Sequence, residues 1–145
     1  METKPWIYYG VFFDDKTQTD LLNFAKQFVS INEKWKVFCN HMTIIYNDKS
    51  KEKEEMAQAL DKFIGNKQNL VIDGIGVSDR AIALSVKDYV TQNKHSHVTI
   101  ATAPDAKPVE SNNITNWYKT KETLPIMGTL DVVMKRINIK RIKKN

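Results

Sequence analysis

The sequence predicts an α+β fold of two similar lobes, with a partly antiparallel sheet and a cleft shared between the lobes. Strand-like segments rich in aromatic and β-branched residues alternate with amphipathic helical segments. Two strand-like segments, 68–77 and 81–86, are separated by only three residues, which favours an antiparallel hairpin. A strand with the pattern His-x-Thr occurs twice, each time followed by a helix-like segment, so we expect each lobe to present one such strand to the cleft.

The first predicted strand, 6–13, is dense in aromatic and β-branched residues. A helix is predicted over 17–30 because its apolar residues recur at helical spacing, and we expect its Phe24 and Phe28 to pack in the core. The next strand-like segment is 35–47, which is predicted as one continuous strand.

A second helix is predicted over 51–64, where Ser50 can act as the N-cap and acidic residues fill the first turns. The hairpin strands follow, and Gly74 and Gly76 in the first of them indicate a bulge or the close approach of another backbone. The polar segment 89–94 is predicted to be a loop or a short helix.

The strand 97–102 carries the second His-x-Thr pattern and leads into a proline-bearing loop. We expect a short helix over 111–119, with Trp117 on it, and then a break of the chain at Pro125. The last predicted strand is 126–139. The sequence therefore predicts one domain over 1–139 and a basic, flexible tail over 140–145.

The two His-x-Thr strands are the candidate functional site. Side chains of a strand alternate between its faces, so His41 and Thr43 share one face, as do His97 and Thr99. Their apolar neighbours, among them Met42, point into the core. These pairs use two of the three histidines of the chain.

Two histidines that face one cleft can act as general base and general acid near neutral pH. A threonine hydroxyl beside each histidine can donate a hydrogen bond to a phosphoryl oxygen and stabilise developing negative charge without a metal. The structural alternative is that each histidine is half-buried on its strand and satisfied by the neighbouring hydroxyl. The occurrence of the same local pattern twice favours the catalytic interpretation.

Charge and cysteine content restrict the class of protein. The net charge is +5, and Lys140, Arg141, Lys143 and Lys144 supply four of these charges, so the body is nearly neutral. This favours a small anionic ligand, with a long nucleic acid less favoured. The lone Cys39 excludes an internal disulfide and a cysteine-rich zinc site. With no signal-peptide pattern and no membrane-spanning apolar run, we expect a cytoplasmic protein, or one of the host cytoplasm if the source is viral.

At these motifs the sequence resembles the two-histidine (2H, LigT-like) phosphoesterase superfamily, in which His, any residue, Thr or Ser, and an apolar residue occur twice. It is similar to the cyclic phosphodiesterase domain of plant tRNA ligases also in the loop 103–112 and in the segment 125–128. It also resembles stand-alone viral members that degrade cyclic nucleotide immune messengers. The excess of lysine over arginine, 19 to 3, fits an AT-rich genome such as that of a virus.

The resemblance implies a phosphodiesterase that needs no metal or other cofactor and cleaves at a ribose 2′ or 3′ oxygen. The leading hypothesis is a cyclic di- or oligonucleotide messenger as substrate, cut to silence an antiviral signal. The first alternative is a 2′,3′-cyclic phosphodiesterase that acts on RNA ends. A second alternative is a sponge that binds cyclic nucleotides without cleaving them. The sequence does not predict an oligomeric state or a membrane partner.

Two aromatic residues are candidate substrate contacts. Tyr8 matches an aromatic near the first strand of the superfamily and could stack on a base, although packing between strands is an equal alternative. Trp117 is a candidate base-stacking residue on a lid, with burial in the core as the alternative. We expect His95 to be exposed, and the pair of His95 and His97 lacks a third ligand for a metal.

Overall fold

The structure, a computed structural model, describes residues 5–135. The predicted tail 140–145 and the last residues of the predicted strand 126–139 therefore lie outside the described residues. The elements in chain order are β1 (Trp6–Phe12), α1 (Asp15–Lys26), β2 (Lys36–Val37), β3 (His41–Tyr46), α2 (Lys51–Asp61), β4 (Lys67–Val77), β5 (Ala81–Val86), β6 (His97–Thr102), a 3₁₀ helix (Pro108–Asn113) and β7 (Trp117–Met134).

The seven strands form one sheet in the order β2-β6-β5-β4-β7-β1-β3. Every strand pair within residues 5–135 is antiparallel, so the prediction of a partly antiparallel sheet is wrong in this respect. The α+β class is confirmed, but two similar lobes are not seen in this continuous sheet. Neither α-helix of the described part of the chain is long and apolar enough to cross a membrane.

The two edge strands of the sheet, β2 and β3, are consecutive in the sequence. Because the short segment between them must connect the two edges, the sheet curls and the edges lie close together. Between them, Cys39 adopts the left-handed conformation, with φ of 60°, and redirects the chain from one sheet edge to the other. The predicted continuous strand 35–47 is therefore wrong, since it is two short strands around this residue. Backbone bonds from Phe38 N to Ile100 O (2.8 Å) and from Phe13 N to Asn40 O (3.0 Å) fasten the crossing segment at both ends.

The second half of the chain departs from the prediction at two places. Residues 108–113 form the 3₁₀ helix, and Trp117 begins β7, so the predicted helix over 111–119 is wrong. Pro125 does not break the chain. It pairs with Val71 of β4, and β1 joins β7 only from Thr129 onward. A proline is tolerated there because β7 has a neighbouring strand on one side only.

The core lies between the concave sheet and the helices. Helix α1 buries Leu21, Phe24 and Ala25, and its N-terminus is capped by Asp14, whose carboxylate accepts a hydrogen bond from the N–H of Thr17 at 2.8 Å. Phe28 lies beyond the end of α1 and is 44% exposed, so its predicted place in the core is wrong. The apolar residues that alternate with the His/Thr pairs are buried as predicted: Met42, Ile44, Val98 and Ile100.

The predicted glycine effect in β4 is confirmed. The pairing register shifts between Ile72 and Gly74, and a Cβ on Gly74 would lie 2.7 Å from the carbonyl oxygen of Tyr118. A Cβ on Gly76 would lie 2.5 Å from a ring carbon of Trp117. These positions admit only glycine because the neighbouring strand and its tryptophan pack directly on the backbone.

Candidate active site

The two His-x-Thr strands meet across a cleft even though they lie far apart in the order of the sheet. The curl brings β3 to face β6, and the loop after β5 bridges them on one side, where Gln92 N donates to the carbonyl of Ile44 at 2.8 Å. A pocket of about 310 Å³ lies between the strands, and its lining includes His41, Thr43, His97 and Thr99. The structure thus brings together all four residues that the sequence singled out.

His41 is held from both ring nitrogens. Its Nδ1 lies 3.0 Å from Oδ1 of Asn40, and its Nε2 lies 3.1 Å from Oγ1 of Thr43. Because an amide oxygen only accepts hydrogen bonds, Nδ1 carries the proton, and Nε2 accepts from the threonine hydroxyl. Burial, together with repulsion from His97, lowers the pKa of His41 to about 4. The ring is therefore neutral at pH 7.

His97 is oriented by the backbone. Its Nδ1 lies 2.7 Å from the carbonyl oxygen of His95, so Nδ1 donates and Nε2 is left to face the pocket. Burial lowers the pKa of His97, while this carbonyl acts in the opposite direction because it stabilises the charged ring. Nε2 of both rings is thus unprotonated: that of His41 accepts from Thr43, and that of His97 faces the pocket.

Thr99 has a partner that the sequence analysis did not identify. Its Oγ1 lies 2.9 Å from Oγ of Ser111, which is fully buried in the 3₁₀ helix. The separation of 12 residues and the irregular loop between them gave no local signal for this contact. When Ser111 donates to Thr99, the hydroxyl proton of Thr99 is free to point into the pocket.

The 3₁₀ helix is fastened to the sheet by Arg80. Its guanidinium donates to both carboxylate oxygens of Glu110, from Nε at 2.5 Å and from a terminal nitrogen at 3.2 Å. This contact holds the pKa of Glu110 below its usual range. The contact between Arg80 and Glu110 also holds one wall of the pocket in place, since Val109 and Asn112 of the same helix line the pocket.

Tyr8 and Tyr9 lie on opposite faces of β1. Tyr9 is fully buried and its hydroxyl donates to Asp61 at 2.5 Å, whereas Tyr8 belongs to the lining of the pocket. The ring of Tyr8 packs with its centroid 5.0 Å from that of His41 and 5.0 Å from that of Tyr46. This places an aromatic surface beside the first histidine.

Trp117 is not on a lid. Gly76 lies against one face of its indole, and the ring of His95 stacks on the other face at 3.8 Å with an interplanar angle of 6°. Its Nε1 donates to the carbonyl of Ile114 at 3.1 Å. The prediction of an exposed His95 is also wrong, since this ring is half-buried between Trp117 and Ser85, whose hydroxyl lies 2.7 Å from its Nε2.

Within residues 5–135, no group of three or more His, Cys, Asp or Glu residues could hold a metal ion. The pocket offers two kinds of functional group. Two imidazoles can move protons, and two hydroxyls can donate to a phosphoryl oxygen.

Comparison with known proteins gives one family. A family model described as the fungal tRNA ligase phosphodiesterase domain matches residues 23–137, a range that includes both His-x-Thr pairs. No curated protein matches the chain significantly. Among solved structures, the crystal structure of TT0787 of Thermus thermophilus has a TM-score of 0.48 at 12% identity, over 88% of this chain and 94% of that chain.

Proposed function

Because the chain belongs to the fungal tRNA ligase phosphodiesterase domain family, it is a phosphodiesterase of the two-histidine superfamily, and we propose that it cleaves at a ribose 2′ or 3′ oxygen without a metal. The observation that carries this proposal is the pocket, in which both His-x-Thr pairs face the same space. One pair lies on the edge strand β3, and the other lies on β6, next to the opposite edge strand. The two pairs therefore meet only because the whole sheet curls.

The proposed working state has one neutral and one protonated histidine. Burial lowers both pKa values, and a bound phosphoryl anion raises them because it favours the charged imidazole. We assign the proton to His97, since the carbonyl of His95 stabilises its charged ring. The charge on His97 then keeps the pKa of His41 low, so His41 remains the base.

For a 2′,3′-cyclic phosphate, His41 takes a proton from water as the water oxygen forms the new bond to phosphorus. The bond from phosphorus to one ribose oxygen breaks, and His97 gives its proton to that oxygen. When the substrate binds, the hydroxyl of Thr43 turns from Nε2 of His41 to a phosphoryl oxygen, which leaves Nε2 free to accept the proton of the water. Thr43 and Thr99 then donate hydrogen bonds to the phosphoryl oxygens, on which negative charge develops. Neither threonine forms a covalent intermediate in this scheme, because the histidines are already committed to proton transfer.

Two substrate classes have separate support. The match to tRNA ligase domains favours 2′,3′-cyclic phosphates at RNA ends. The small volume of the pocket, about 310 Å³, and the nearly neutral body favour a small substrate, and for this class we propose a cyclic di- or oligonucleotide messenger, whose cleavage would serve viral immune evasion. Tyr8 is proposed as the aromatic contact for the base nearest to His41.

The test is a turnover assay on both classes with products identified by mass. We expect a 2′,3′-cyclic-phosphate oligonucleotide or a cyclic dinucleotide to be converted, and the variant His97→Ala to leave it intact. A protein that binds these ligands and returns all of them unchanged after denaturation would be a sponge, which contradicts the proposal. A matched control is Asn116→Ala, which changes an exposed residue outside the pocket and should leave the conversion unchanged.

A further inference from the structure

A second cavity of about 650 Å³ adjoins the catalytic pocket. The two spaces share His97, Asn93 and Asn112 in their linings, so a ligand that contacts the catalytic histidine can extend from one into the other. Tyr8 belongs to the lining of the catalytic pocket. The second cavity lies on the opposite side of His97, next to Trp117, whose ring centroid is 5.9 Å from that of His97.

The wall of the second cavity is aromatic and rigid. His95 and Trp117 form a parallel stack, and Gly76 supports the far face of the indole. Hydrogen bonds to Ser85 and to the carbonyl of Ile114 fix the orientation of both rings. Because Gly76 and His95 cover the two faces of the indole, the flat surface left for a nucleobase is the outer face of the His95 ring. Little conformational freedom is lost when a base packs against a ring that is held in this way.

The remaining lining can read the edge of a base. The side-chain amides of Asn112 and Asn113 are exposed and make no hydrogen bond to any other residue of 5–135. Each amide has donors and an acceptor, which is the complement of a base edge. Lys94 supplies one exposed cation at the same cavity, suited to a phosphate.

We propose that this second cavity binds a second nucleoside, in addition to the one that carries the scissile phosphodiester. The inference rests on the proposed function and makes its substrate class more specific. The substrate then contains at least two nucleosides joined through phosphate. A mononucleoside 2′,3′-cyclic phosphate fills only the pocket beside Tyr8 and is a poor substrate.

The experiment compares kcat/KM for three probes: a mononucleoside 2′,3′-cyclic phosphate, a dinucleotide that ends in a 2′,3′-cyclic phosphate, and a cyclic dinucleotide. We expect at least one two-nucleoside probe to exceed the mononucleoside probe by about tenfold or more, the order expected of one stacked base. The two-nucleoside probe with the higher kcat/KM shows whether the substrate is an RNA end or a cyclic messenger. Equal values for all three probes would overturn the second subsite and leave the phosphodiesterase assignment in place.

Variants at two positions, Asn113 and His95, test whether the preference for two nucleosides arises in the second cavity. Asn113→Ala removes one amide without touching the aromatic stack, and its matched control is Asn116→Ala, an exposed asparagine outside both cavities. His95→Phe keeps a ring on Trp117, whereas His95→Ala removes it. We expect Asn113→Ala and His95→Ala to reduce the preference for two nucleosides, with His95→Phe retaining more of it than His95→Ala.

Binding provides a readout that does not depend on turnover. Calorimetry compares the affinity of the wild-type protein for a mononucleotide and for a dinucleotide with the same terminal phosphate. We expect the dinucleotide to bind about tenfold more tightly. If no probe is cleaved, the proposed function fails, and the affinity ratio still decides on the subsite. A ratio of one, or a ratio that Asn113→Ala and His95→Ala both leave intact, would contradict it.

Discussion

The Nδ1 atom of His97 donates to the carbonyl oxygen of His95 over 2.7 Å. One backbone group thereby decides which nitrogen of the histidine faces the pocket. The same residue turns its own side chain the other way, onto Trp117. His95 thus connects the orientation of a proposed catalytic group to the wall of the neighbouring cavity.

We predict that His41→Ala and His97→Ala each reduce the turnover rate by at least about 10²-fold, because each removes a general acid or base. Both variants are expected to fold, since the two histidines face the pocket while their strand neighbours fill the core. Circular dichroism checks the fold and the substrate assay checks the rate. Turnover close to that of the wild type would remove that histidine from the mechanism.

The threonines are predicted to act as hydrogen-bond donors. Thr43→Val and Thr99→Val keep the side-chain shape but lose the hydroxyl, and each is expected to cost about 10²–10³-fold in kcat. Thr43→Ser and Thr99→Ser are the matched variants and should retain most of the activity. Phosphate found covalently attached to either threonine by mass spectrometry would refute the proposed roles.

Ser111 is predicted to position Thr99. Ser111→Ala removes the bond of 2.9 Å between the two hydroxyls, and we expect kcat to fall about three- to tenfold, a loss of the size of one net hydrogen bond. The diagnostic measurement is a double-mutant cycle. In the Thr99→Val background the same serine change should have little further effect on kcat. Full additivity of the two losses would show that Ser111 acts independently of Thr99.

Acid is predicted to destabilise the folded protein. The pKa of His41 is lowered to about 4 in the folded state, from about 6.5 in an unfolded chain, so between these values the unfolded chain binds the extra proton. The free energy of unfolding should therefore fall as pH drops from about 6.5 to about 4, by at most about 1.4 kcal/mol per pH unit for this residue. Urea titrations at several pH values measure the slope, and it should be shallower in His41→Gln.

Activity is predicted to survive chelation by EDTA, because the two histidines and two threonines provide both proton transfer and charge stabilisation. The assay compares initial rates in EDTA and in added Mg²⁺ or Zn²⁺, at constant ionic strength. A rate that collapses in EDTA and returns with a divalent ion would replace the metal-free mechanism.

The faces of the His/Thr strands could be predicted because strand alternation is a local property of two residues. The hairpin and the close approach of another backbone at Gly74 could also be predicted, because each depends on a short segment of sequence. The turn at Cys39 could not be predicted, since a buried cysteine with positive φ has no local sequence signal. Two contacts of the site join residues that are not neighbours in the sequence: the stack of His95 on Trp117, and the bond from Ser111 to Thr99. The sequence alone does not specify such pairings.

The sheet order has a consequence for how the site forms as the chain folds. Strand β7 lies between β4 and β1, so it joins a part that carries β6 and His97 to a part that carries β3 and His41. Because β7 comes after all other strands, these two parts are connected through the sheet only when the last described strand has paired. Most contacts made in this step are distant in sequence, which is typical of slow folding. A chain released before residue 117 would hold both His-x-Thr motifs but not the strand that joins their two parts of the sheet.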